Sequence, residues 1–115
     1  MTALLVATTA GCLGARDFPC PNHSVPFITI ESGDGAPHPF ELHVADIGFA
    51  VNDTARPAPD TLHYDLQDAT KGEHEVVVTS DGHVDTVAFA MDCPAGIVSF
   101  LISPDGISHY VAHAD

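Results

Sequence analysis

Eight histidines and three cysteines are the residues of this 115-residue chain best equipped for chemistry. Imidazole nitrogen and thiolate sulfur are the common ligands of zinc and copper, so their spacing decides what they could do. His109 and His113 stand four apart. On a strand that spacing separates them by ~13 Å, at ~3.3 Å per residue. A single zinc holds its nitrogens at ~2.0–2.1 Å, so this pair cannot share one ion. Most of the other histidines stand beside carboxylates: Glu41 with His43, His63 with Asp65, His74 with Glu75, His83 with Asp85. Residues two apart on a strand share a face at ~6.6 Å. These histidines therefore read as members of polar faces, supplying part-time positive charge among acids. A metal-handling alternative would draw on His43, His63, His74, His83 or His109, gathered by long-range strand pairing.

Other chemistries are poorly served. A type-1 copper site needs a cysteine followed within a few residues by His and then Met. Cys93 is followed by Pro94-Ala95-Gly96, the next histidine is His109, and Met91 precedes it. There is no nucleophile elbow, Gly-rich phosphate loop or zinc-protease helix motif. Ser24, Ser80 and Ser108 have histidines nearby, but neighbours on a strand point to opposite faces and make no dyad. Asp81-Gly82 and Asp105-Gly106 read as turns rather than calcium loops. No catalytic residue and no cofactor are expected.

The third candidate lies at the front. Ala3-Leu4-Leu5-Val6-Ala7 leads into Thr9-Ala10-Gly11-Cys12. Small residues before a cysteine let the chain fit a peptidase, and the thiol can then carry lipid. The stretch AGCLG, placed this close to residue 1, resembles the lipobox of a lipoprotein signal peptide and is similar to the form seen in haloarchaeal lipoproteins. The resemblance implies lipidation at Cys12 and attachment to the outer face of the cell membrane. Met1-Thr2 lacks the basic n-region, and the apolar stretch falls short of ~7–15 residues. A start further upstream would supply both. With Cys12 set aside, Cys20 and Cys93 are left either as one disulfide, which an oxidising exterior would favour, or as two buried thiols. The two asparagines, Asn22 and Asn52, both begin glycosylation sequons, which is a weak signal for export.

Charge narrows the partners. Sixteen Asp and Glu face three Lys and Arg, for a net charge of -13. Such a surface repels nucleic-acid phosphate, so no nucleic acid is expected as a partner. A protein or small-molecule ligand stays open. Asp outnumbers Glu twelve to four beside a single lysine. That balance resembles proteins of halophilic archaea, for which molar salt shortens the Debye length to ~3 Å and relieves self-repulsion.

The elements that must position these residues are strands. Ile28 and Ile30 alternate with polar residues. Phe40, Leu42 and Val44 alternate with Glu41, His43 and Ala45, Ile47, Phe49 and Val51 with Gly48 and Ala50, and Leu62, Tyr64 and Leu66 with His63, Asp65 and Gln67. A period of two marks half-buried strands. Asp81-Gly82 suits a type I′ hairpin turn, which sets Val76 opposite Val87 and His74 opposite Phe89. Val87, Phe89, Met91 and Cys93 then share one face, with Cys93 turned inward. Ser103-Pro104-Asp105-Gly106 predicts a type I turn with a left-handed bulge at Gly106. That register pairs Phe100 with Tyr110 and Val98 with Ala112; a plain loop would put His109 opposite Phe100. Residues 1–12 read as the lipoprotein signal, 13–24 as a tether with Pro19 and Pro21, and 25–115 as one domain. The expected fold is all-β, an immunoglobulin-like antiparallel sandwich of about seven strands.

Overall fold

The computed structural model describes residues 20–21, 23–67, 69–70 and 72–113; the signal and most of the tether lie outside them. Among the described residues eight strands form: β1 (Phe27–Ser32), β2 (His38–Val44), β3 (Phe49–Ala55), β4 (Leu62–Asp65), β5 (Gly72–Ser80), β6 (His83–Met91), β7 (Gly96–Ser103) and β8 (Gly106–His113). They make two four-stranded sheets, β4-β1-β7-β8 and β3-β2-β5-β6. The expected all-β sandwich is what the chain builds, with eight strands where about seven were expected. It is not wholly antiparallel: β1 runs parallel to β7, with Ile28 beside Val98 and Ile30 beside Phe100.

The alternating residues form the core between the sheets. Ile28, Ile30, Leu42, Val44, Val76, Val78, Phe89, Met91 and Val98 are all fully buried. Each fully buried aliphatic or aromatic side chain of this kind contributes about 1.5–3 kcal/mol. Their intervening neighbours face solvent, which is why the sequence alternates.

Turn chemistry fixes the β5–β6 hairpin. Asp81 and Gly82 take φ of 48° and 82°, the positive values a type I′ turn requires. The register is the expected one, Val76 opposite Val87 and His74 opposite Phe89. Two local expectations need correction. Ile47 lies in a 3-10 turn over Ala45–Ile47, closed by Gly48 at φ 69°, rather than in a strand with Phe49 and Val51. Leu66 lies beyond the end of β4, where its N–H donates to the Pro26 carbonyl at 2.9 Å.

The β7–β8 hairpin also departs from expectation. Ser103 pairs directly with Gly106, so the loop is two residues, Pro104 and Asp105. Phe100 faces His109 and Val98 faces Val111, instead of Tyr110 and Ala112. Shifting a register by one residue exchanges the two faces of a strand. The observed choice packs Ile107 against the core and brings His109 within 2.6 Å of Asp85 on β6. Tyr110 is left on the outer face, 66% exposed.

Candidate functional site

Cys20 and Cys93 are joined by a disulfide, with their Cα atoms 5.6 Å apart. Cys93 sits just past β6, as the alternation from Val87 places it. Cys20 is buried, and it anchors a short turn in which its N–H donates to Ser24 and its carbonyl accepts from His23. The bridge therefore clamps the base of the tether to the β6–β7 connection. Cys12 and Asn22 lie outside the described residues. Asn52 is exposed on β3, opposite Glu41 on β2. It opens onto a shallow groove of about 350 Å³ shared with Asp53 and Asp81, an acidic lining unsuited to anions.

The candidate histidines are dispersed over both sheets, and carboxylates hold most of them. His43 meets Glu41 at 3.4 Å on the outer face of β2. His63 meets Asp65 at 2.9 Å on β4 and stacks on Phe27 at 4.2 Å. Those two pairs are the expected ones. His83 does not meet Asp85; its Nε2 lies 3.1 Å from the Pro104 carbonyl in the neighbouring turn. Asp85 instead holds His109, across the open side between β6 and β8.

His74 corrects the expectation of an exposed histidine beside Glu75. It is buried, because β5 turns it to the core side with Val76 and Val78. Its Nε2–H donates to the Thr70 carbonyl at 2.8 Å, and Nδ1 lies 2.6 Å from Asp46.

A second buried histidine, His38, was not singled out by sequence reasoning. Its Nε2–H donates to Asp34 at 2.7 Å, while Nδ1 lies 3.9 Å from Asp81. Asp34 also accepts from Ser32 Oγ at 2.8 Å and from the Ala36 N–H at 3.1 Å. The His38 hydrogen bond, followed by those from Ser32 and Ala36, holds the Asp34 carboxyl down at about 2. The signal for this cluster was the Ser32-x-Asp34 turn, four residues before a histidine. Its order, hydroxyl to carboxylate to imidazole, puts the serine on the acid rather than on the base, so it is not a nucleophilic triad.

Tyr64 donates to Asp53 at 3.3 Å. Burial, and then the Asp53 charge, push its hydroxyl up to about 12.

Among the described residues, no three His, Cys, Asp or Glu side chains come together as a metal ion would need. No helix among them is long and apolar enough to cross a membrane. A disulfide is compatible with an extracytoplasmic location. The chain matches no protein-family model, no curated protein and no solved structure at a significant level.

Proposed function

We propose that this chain is an exported β-sandwich, held on the outer face of the cell membrane by lipid on Cys12, where it serves as a structural or binding module. One observation carries the reading. Three cysteines are present, and the bridge between Cys20 and Cys93 accounts for two. The thiol left over is the one in the lipobox-like stretch. A bridge pinning the tether to the body also lets a pull on residue 12 reach the fold at one defined point. A single acyl chain holds a protein only marginally, so stable attachment here calls for a two-chain lipid.

The metal alternative gains no support, since His43, His63, His74 and His109 are each already engaged by a separate carboxylate. Calorimetric titration with Zn²⁺ and Cu²⁺ in molar salt is expected to give no saturable binding. Mass spectrometry of the native membrane fraction tests the anchor. A lipid adduct on Cys12 is the expected result, with Cys12→Ser releasing the protein into the soluble fraction. An unmodified Cys12 recovered from the cytosol would overturn it.

A further inference from the structure

Among the described residues, two sheets present four edge strands, β3 and β6 in one, β4 and β8 in the other. An open edge displays unpaired N–H and C=O groups, and natural β-proteins guard it with charge, proline, brevity or a bulge. Three of these edges are guarded. β4 has four residues and ends on Asp65, β3 carries Asp53, and β6 carries Asp85 turned toward the interior. The fourth is not. β8 runs eight residues, GISHYVAH, without an acid, a lysine, an arginine or a proline. Its neighbour β7, GIVSFLIS, is equally free of charge. Only Asp105, in the turn between them, is charged.

The hairpin geometry aims this edge. Ser103 and Gly106 close a two-residue loop and form a hydrogen-bonded pair. Hydrogen-bonded and non-bonded pairs alternate from there, so Ile107, His109 and Val111 turn their N–H and C=O groups away from β7. The Ile102 carbonyl, opposite Ile107, confirms the phase: it accepts from the Gly33 N–H at 2.8 Å, on the side away from β8. Three donors and three acceptors thus line the open edge, one of each per residue. Beside them Leu101, Tyr110 and Val111 are exposed, at 42%, 66% and 44%.

We propose that β8 pairs antiparallel with β8 of a second copy of this chain, across a two-fold axis at His109. Charge argues for the occupant. In a chain at -13, two copies approaching through β3 or β6 bring the aspartates of those strands toward each other, whereas β8 has none of its own and the nearest, Asp85, is held by His109. A basic or acidic partner would find no complement along this strand. The strand is also complementary to itself, as a two-fold interface requires. With His109 on the axis, Ile107 faces Val111 of the second copy, Tyr110 faces Ser108, and Gly106 faces Ala112. Apolar residues meet on the inner face and small residues lie opposite one another at the ends. Each Asp85 approaching the axis brings its own His109 at 2.6 Å. The two sheets become one continuous sheet, and both β8 edges disappear. This inference is independent of the lipid on Cys12.

The test uses the full chain carrying Cys12→Ser, so that neither lipid nor a spare thiol can join copies. Sedimentation velocity in molar salt is expected to show a concentration-dependent dimer. Val111→Lys should abolish it without changing the thermal midpoint taken at a dilution where the wild type is monomeric. Val111→Pro should abolish it too, because a proline whose N–H position faces off the edge leaves the β7–β8 ladder intact. Val84→Lys, on the β6 edge, should leave the dimer in place. His109→Cys should give a disulfide-linked dimer on oxidation, since hydrogen-bonded partners sit at ~5.5 Å between Cα atoms, within bridging reach. A monomer at every concentration overturns the proposal. So does a dimer that survives Val111→Lys and Val111→Pro, or one that is lost with Val84→Lys.

Discussion

Removing the disulfide is the perturbation whose size follows most directly from the structure. Joining Cys20 to Cys93 closes a loop with a sequence separation of 73 residues, which encloses β1 through β6. In the chain-entropy model a crosslink of that span lowers the entropy of the unfolded chain enough to stabilise the fold by about 4.4 kcal/mol at 25 °C. Domains of this size are stable by only about 5–15 kcal/mol in total, so the bridge is a large share. At roughly 4–8 °C per kcal/mol, its loss lowers the melting midpoint by about 18–35 °C. Alanine is the right replacement, because Cys20 is buried and a serine hydroxyl there would add a desolvation cost of its own. The assay is thermal unfolding of Cys20→Ala/Cys93→Ala against the oxidised wild type in molar salt, followed by circular dichroism. Reduced wild type should match the double variant. A drop below about 5 °C would refute the reasoning, because it would mean that the unfolded chain is not constrained by the loop.

Gly96→Ala should destabilise the fold by about 1–3 kcal/mol, since the new Cβ would lie 2.7 Å from the fully buried Phe89 ring, which has nowhere to go; urea titration reads this. Gly33→Ala makes a comparable approach, 2.8 Å from Leu101, but that side chain is exposed and can swing away, so its urea midpoint should barely move. In an absorbance titration of phenolate, the Tyr64 signal should appear only near pH 12, and Asp53→Asn should bring it to lower pH by removing the second cause of the shift. Because the Asp34 carboxyl is depressed from 3.8 to about 2 in the fold, its contribution is complete above pH 3.8 and is lost as pH falls toward 2; in Asp34→Asn, chemical denaturation across that window should show a shallower loss of stability.

Local pattern carried the core, and long-range pairing carried most of the surprises. Ile28 and Ile30, Val76 and Val78, and Phe89 and Met91 are buried because each strand has one dry face, and a period of two reports that directly. The β5–β6 register was legible pair by pair because a two-residue Asp-Gly turn admits few alternatives. The same logic made Glu41–His43 and His63–Asp65 visible, since residues two apart share a face. It failed at His74, whose neighbour Glu75 points the other way and whose true partner, Asp46, is 28 residues distant. It failed at the last hairpin too, where Ile107 in the core and Asp85 on another strand decide between two registers that look alike locally. Nothing near Ile28 or Val98 announces that they are parallel neighbours.

That parallel pairing has a consequence in time. The sheet β3-β2-β5-β6 lies wholly within residues 38–91, and its neighbours are joined by hairpins or by one modest crossing, so it can close while later residues are still being synthesised. β1 is made first and can pair with β4 once residue 65 exists, but its other edge has no partner until β7 is made, and the hydrogen bond from Thr29 Oγ1 to Ser99 Oγ there spans 70 residues. Contacts of such separation form late and slowly, because the intervening chain must be ordered first. One edge of β1 thus stays unpaired until β7 is complete at Ser103, so the sheet β4-β1-β7-β8 closes last.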